Sequence, residues 1–329
     1  GDLTAFTGEE VTLLAAREFL FHDGAVASRQ WEHQRLAAFS RMARGEAPLV
    51  VATVEALLQR TLSPQELADH TVIVEAGKPY DLEALADQLA ALGYTRCDQV
   101  EGVGQFALRG GILDVYSPAQ DHPARIEFWD TEVDSMGLFD VSSQRRVARL
   151  DRAVFLPVNE ALPTRDENGQ WQRTPDRLLP TRYQTLTTAA HHLPPDAVVC
   201  FSESGRVAER AKTWLWQLNE DVKTLIEQQA IDGRHAVFAA GLEELMSVLS
   251  EFPLCFLDSF ATSATPLPPR TLLSVQARQL SSFGVNLETA AADLTQFQNA
   301  GAATVVLVAS EQRALNLQAL LRGRELRSA

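Results

Sequence analysis

The feature that most constrains the fold of this chain is the alternation of apolar and polar residues between positions 106 and 140. It reads Phe106-Ala-Leu-Arg-Gly-Gly-Ile-Leu-Asp-Val-Tyr-Ser-Pro, then Ala124-Arg-Ile-Glu-Phe-Trp-Asp-Thr-Glu-Val-Asp-Ser, then Leu138-Phe-Asp. Successive side chains on a strand point to opposite faces, so a period of two demands a sheet with one buried and one solvated face. Gly110-Gly111 falls between the first two strands that this alternation implies, where a tight turn or bulge is needed. Arg109, Asp114, Arg125 and Glu127 occupy the polar phase, so two arginines and an aromatic, Trp129, are expected in one solvated region of the sheet.

The flanks read differently. Residues 1–69 contain an apolar strand at Val11 to Leu14, then a helix from Ser28 to Arg44 with Trp31, Phe39 and Met42 among its apolar positions and Gly45 as the residue that ends it. Leu49 to Thr53 is a continuous apolar strand, expected to be buried on both faces of a parallel sheet, and a returning helix from Val54 to Arg60 follows. This is the texture of a nucleotide-hydrolase-like α/β layer. From Thr71 to Phe155 a strand, one helix from Asp81 to Leu92 stopped by Gly93, and the alternating strands make an α+β unit. The α/β texture then returns, with strands near Ala197 to Phe201 and Leu254 to Leu257 around a helix from about Gly205 to Gln228. Thr265 to Arg270 is a proline-rich connector, and Leu272 to Ala277 is expected to close the layer as a strand. A final βα unit is read at Thr304 to Ala309 plus a helix capped by Ser310, with Leu315, Leu317 and Leu320 inside and Gly323 as the stop.

Composition bounds the function. The 329 residues carry a net charge of −14, which argues against tight non-specific binding to phosphate backbones, where clustered Lys and Arg displace counterions. Three cysteines, Cys97, Cys200 and Cys255, are too far apart for a CxxC site and suggest reduced thiols in a cytoplasmic protein. No apolar run approaches the roughly 20 residues that span a membrane. A start at Gly1, in what reads as the middle of a domain, suggests a piece of a longer protein.

The residues 106–140 resemble domain 2 of bacterial UvrB and of the transcription-repair coupling factors (Mfd): an aromatic followed by Arg-Gly, then Leu-Asp-aromatic, then Arg-x-x-Phe-aromatic, then Asp and Glu. The resemblance spans nearly the whole chain, is strongest over residues 28–157, and weakens after residue 158. It implies an α/β fold in which a degenerate P-loop, helicase-like α/β domain is interrupted by an inserted α+β domain, an antiparallel sheet plus helix, and followed by a small partial α/β unit. The implied divisions are 1–69 and 157–280 for the split domain, 70–156 for the insert and 281–329 for part of a third domain. The insert would have no catalytic chemistry and would dock UvrA, recruiting it to a stalled polymerase through Arg109, Arg125 and Trp129; the C-terminal domain of the same parent could mask it. Trp129 stands where Phe is usual, which keeps an aromatic anchor but alters the pocket it fills. The other reading is a fragment of a UvrB-type helicase subunit, but the place of UvrB's tyrosine-rich hairpin corresponds to Arg17 through His33, and no tyrosine precedes Tyr80.

No cofactor or metal is expected. A phosphate-binding G-x-x-x-x-G-K-[ST] loop is missing, and Gly77-Lys78 leads into Pro79, a turn before the Asp81 helix. Gly102-x-Gly104-x-x-Ala107 matches a dinucleotide fingerprint in letters only, because an alternating strand follows where a helix is required. Asp130, Glu132 and Asp134 lack the Gly and Glu positions of a calcium loop and read as a solvated acidic turn, with Arg145 or Arg146 as counter-charge. His191-His192 precedes Leu-Pro-Pro and reads as loop.

Overall fold

The computed structural model describes residues 2–19, 21, 29–183, 185–259, 267–275, 287–306, 308 and 310–323. The chain divides into two compact units, Gly1–Pro269 and Arg270–Ala329.

The first unit opens with a short helix, α1 (Asp2–Thr7), and β1 (Val11–Leu14), followed by α2 (Gln30–Ala43) and β2 (Leu49–Ala52). β1 and β2 pair in parallel from Val11↔Leu49 to Leu14↔Ala52. Gly45 takes φ +70° just past α2, as its place at the helix end requires. Expected to be buried on both faces, β2 instead has one strand partner among the described residues and leaves Val51 39% exposed. The face that carries the paired Leu13 and Val51, 48% and 39% exposed, has no covering layer among the described residues, whereas Leu14, Val50 and Ala52 on the other face pack into the core with Phe39. α3 (Val54–Leu58) begins at Thr53, whose hydroxyl accepts from the Ala56 amide at 3.3 Å. β3 (Arg60–Thr61) and α4 (Pro64–Asp69) complete this segment.

β4 (Val72–Glu75) leads through the Gly77 turn, φ +71°, to α5 (Leu82–Ala91). Asp81 caps α5 by accepting from the amides of Glu83 and Ala84 at 2.9 and 3.0 Å, and Gly93 with φ +93° ends it. Then come β5 (Thr95–Arg96), β6 (Gln105–Arg109), β7 (Ile112–Val115), β8 (Ala124–Trp129), β9 (Glu132–Phe139) and β10 (Arg146–Arg149), which form one sheet in the order β10-β9-β8-β7-β6-β5. All neighbours pair antiparallel except β5 with β6. β11 (Arg152–Phe155) returns to pair with β4. Phe106, Leu113, Val115, Ile126, Val133 and Met136 meet Leu85 and Leu89 of α5 in a continuous core, so the alternation places one sheet face under the helix.

Beyond Phe155, β12 (Thr164–Arg165) and β13 (Trp171–Gln172) form a small hairpin, and β14 (Thr187–Thr188) pairs with β3. β15 (Val199–Ser202), α6 (Ser204–Glu227), α7 (Leu242–Leu249) and β16 (Leu254–Leu257) follow, with β15 and β16 parallel. A separate core around Leu36, Phe39 and Leu179 packs α2 against this part. His191-His192, expected in a loop, lies in a 3₁₀ turn, Ala189–His192, with His192 buried against Phe39.

The second unit contains α8 (Leu287–Asn299) and α9 (Glu311–Arg322). Ser310 caps α9 as expected, accepting from the Arg313 amide at 3.4 Å. Leu317 packs inward as expected, together with Leu321, on Ala291 and Leu294 of α8, whereas Leu315 and Leu320, also expected inside, are 54% and 53% exposed. With one partner helix, only an i,i+4 stripe finds cover. The strands expected at 272–277 and 304–309 are not formed by their described residues; Leu272, Leu273, Val275 and Val305 are 78%, 85%, 88% and 81% exposed. Apolar, β-prone letters make a strand only where a neighbouring strand supplies hydrogen bonds. Residues 276, 277, 307 and 309, like the division expected at 280–281, lie outside the described residues.

Candidate protein-docking surface

The site is built on the sheet face turned away from α5. β6 and β7 join through a two-residue turn, Arg109 pairing with Ile112, in which Gly110 has φ +60°. A Cβ on Gly111 would sit 2.9 Å from the Phe128 carbonyl oxygen, so the glycine pair allows this turn to lie against β8. β8 and β9 turn at the same end of the sheet, with Trp129 opposite Glu132 and Asp130 at φ +59°. The expected positions thus converge on one face: Arg109 and Trp129 near two adjacent turns, and Arg125 one strand pair further in.

Asp114 organises this face. It is 1% exposed although it stands on the outer phase of β7, because two guanidinium groups cover it. Arg125, directly opposite in register, donates from Nε to Oδ1 and from Nη2 to Oδ2, both at 2.7 Å. Arg109 donates from Nη2 to Oδ2 at 3.0 Å. Arg125 also donates to Gln144 Oε1 at 2.8 Å and lies over the Phe139 ring, 4.2 Å from its centroid. Its hydrogen bonds to Asp114 hold its pKa above the ordinary guanidinium value despite burial. Across the sheet from Arg125 stands Gly137, where a Cβ would meet the Ala148 carbonyl oxygen at 2.5 Å.

The three residues therefore differ in availability. Arg125 keeps 22% of its side chain exposed and Arg109 keeps 50%, while Trp129 is 82% exposed. A buried carboxylate with a bidentate arginine is a fixed strut; a half-exposed arginine opposite the 38%-exposed Ile112, with a bare indole on the same face, is a surface on which a partner can bury area. The acidic turn residues Asp130, Glu132 and Asp134 are exposed, and Arg146 approaches Glu127, at 3.8 Å, with Ser135 bonded to both.

One polar cluster escaped the sequence reading. Arg35 and Glu160, both fully buried, pair at 2.7 Å from Nε to Oε1, and Arg35 also donates to the Ala15 and Ala56 carbonyls at 3.0 and 3.2 Å. Arg17 reaches Glu32 at 3.2 Å and Asp176 at 3.9 Å; Glu32 accepts the Glu160 amide at 2.7 Å and Arg29 at 2.6 Å. Burial raises the Glu32 pKa beyond what Arg17 and Arg29 offset. At Glu160 burial pushes the same way, but Arg35 and Arg17 outweigh it and the pKa falls. The signal was there in α2: Glu32 and Arg35 interrupt an otherwise apolar stripe.

The site is thus a sheet, antiparallel apart from β5, backed by one helix and faced with Arg109 and Trp129. Residues 72–160 match the sequence profile of the UvrB interaction domain. Over its length the chain resembles the transcription-repair coupling factors: 25% identity to that of Bacillus subtilis (strain 168) across all of this chain and 31% of the relative, and 23% to that of Staphylococcus haemolyticus across 95% of this chain and 30% of the relative. The transcription-repair-coupling factor of Staphylococcus aureus (strain Mu50 / ATCC 700699) is 22% identical over 97% of the chain. The chain thus spans about a third of the length of these relatives, with shares of 31% and 30%. No described helix is long and apolar enough to cross a membrane.

Proposed function

We propose that this chain is a non-catalytic adaptor region of a transcription-repair coupling factor, and that it docks UvrA to bring excision repair to a stalled RNA polymerase. The observation that carries this reading is that a half-exposed Arg109 and the 82%-exposed Trp129 stand on the same open face of the sheet, inside the segment that matches the UvrB interaction domain. Arg109 and Trp129 supply the contact: a planar donor for carboxylate or carbonyl groups and an aromatic anchor of low conformational entropy. Arg125 acts on the same surface by holding Asp114, which fixes the direction of Arg109. The degenerate helicase-like domain, split by an insert over residues 70–156, is the frame that presents the sheet, and ATP-driven translocation belongs to the longer parent. The same surface is available to the C-terminal domain of that parent as a mask. The names of the relatives and the lack of tyrosine before Tyr80 favour a coupling factor over a UvrB-type fragment.

The test is a surface-binding titration against purified UvrA. Saturable binding by the wild-type chain, weakened about 1–3 kcal/mol by Arg109→Ala or Trp129→Ala with the fold intact, supports the adaptor reading. A folded wild-type chain that fails to bind UvrA would sink it.

A further inference from the structure

β15 and β16 run parallel with Cys200 opposite Cys255 in register, flanked by Val199↔Leu254 and Phe201↔Phe256. Val199, Phe201, Leu254 and Phe256 pack inward on the core beneath α6 and α7, with the two phenylalanine rings stacked at 5.3 Å. Alternation then sends both cysteines to the opposite face, and that face is open: Cys200 is exposed, Cys255 is half-buried, and neighbouring Val198 and Leu257 are 64% and 57% exposed. Two thiols that lie 55 residues apart in sequence are thus held side by side at an accessible surface.

We propose that Cys200 and Cys255 form a preorganised dithiol site for a soft, thiophilic centre of low coordination number, of which a monosubstituted trivalent arsenical is the simplest representative. Spacing permits this chemistry. Adjacent strands hold paired residues about 4.8 Å apart, which lets two sulfurs on one face share one centre. A metal–thiolate bond of about 2.3 Å sets two sulfurs of one tetrahedral shell about 3.8 Å apart, a span that paired strands accept without distortion. Softness is set by the donor set: thiolates prefer soft ions, and among the described residues no third His, Cys, Asp or Glu joins the pair, so the site suits a two-sulfur chelate. Burial raises the pKa of Cys200, and the neighbouring Cys255 thiol adds to the rise, so Cys200 rests as a thiol at neutral pH. With phenylarsine oxide the balance is simple: two S–H bonds and the arsenic–oxygen bond break, two As–S bonds form, and the oxygen leaves with both protons as one water, with no change in oxidation state.

The experiment adds phenylarsine oxide to the folded chain and reads mass and free thiols together. One adduct per chain, with titratable thiols falling from three to one, is expected; Cys97→Ser should keep the adduct, and Cys200→Ser or Cys255→Ser should lose the two-thiol product while keeping the wild-type circular dichroism. Affinity in the folded chain should exceed that of the urea-unfolded chain at least tenfold, because only the fold brings the sulfurs together. A folded wild type that retains three titratable thiols, a two-thiol adduct that survives Cys200→Ser, or equal affinity folded and unfolded would each overturn the site.

Discussion

Asp114 shows how one residue sorts its neighbours into structural and functional roles. Its carboxylate is buried, accepts three hydrogen bonds from two arginines, and leaves one of them, Arg109, half in solvent. Arg125→Ala is therefore expected to lower stability by about 2 kcal/mol, because removing its bidentate partner leaves a buried carboxylate held by a single bond. Arg109→Ala, breaking a half-exposed pair, should cost less than about 1 kcal/mol and act mainly on binding. Urea denaturation of both variants separates them, and equal losses would contradict the division. Gly137→Ala belongs to the same scale: a Cβ 2.5 Å from the Ala148 oxygen forces β9 and β10 apart, with an expected loss of about 1–3 kcal/mol in the same assay.

At the scale of elements, α2 is the member that ties distant segments together. Its Arg35 meets Glu160, its Glu32 meets Arg17 and the Glu160 amide, and its Phe39 stacks on His192 at 4.1 Å. Glu160→Gln leaves the buried Arg35 without its carboxylate, and a loss near 3 kcal/mol is expected in thermal or urea unfolding. His192 makes the packing pH-dependent. Its Nε2 lies 3.0 Å from the Leu62 carbonyl oxygen, so the ring donates there and leaves Nδ1 bare in the core; burial lowers its pKa from 6.5 to about 4. Between those values the unfolded chain binds the proton and the folded chain does not, so the contribution is complete above pH 6.5 and declines as pH falls toward 4. The drop from His192 should come to between about 3 and 4 kcal/mol, at about 1.4 kcal/mol per unit. Burial and the Arg29 charge lower the His33 pKa to about 4 as well, so His192→Phe, which keeps a ring against Phe39, should remove roughly half of the slope in that window; an unchanged curve would assign the dependence elsewhere.

For the molecule as a whole, the question is whether the six-stranded sheet and its helix stand by themselves. Their core, from Val74 to Val158, consists of residues that lie between β4 and the end of β11 or just beyond it. We expect residues 70–160, expressed alone, to fold cooperatively with native β-sheet dichroism but at reduced stability, since Glu160 loses Arg35 of α2. A fragment without a cooperative transition would show that the sheet depends on the surrounding α/β layers.

Alternation in residues 106–140, the Gly110-Gly111 turn, the helix start at Asp81, the Ser310 cap and the Gly45 and Gly93 stops were legible in sequence because they follow from local backbone geometry and from which face a side chain takes. The grouping of Arg109, Arg125 and Trp129 on one face was legible for the same reason. Tertiary structure alone decided which of them is free, since only cross-strand register puts Arg125 on Asp114. It also decided that Leu272–Val275 is not a strand and that Leu315 lies in solvent, because pairing and burial depend on what the rest of the chain brings alongside. The ionic cluster around Arg35 and the pairing of Cys200 with Cys255 join residues more than fifty positions apart. Local periodicity carries no information at that range, and the packing of whole elements supplies it.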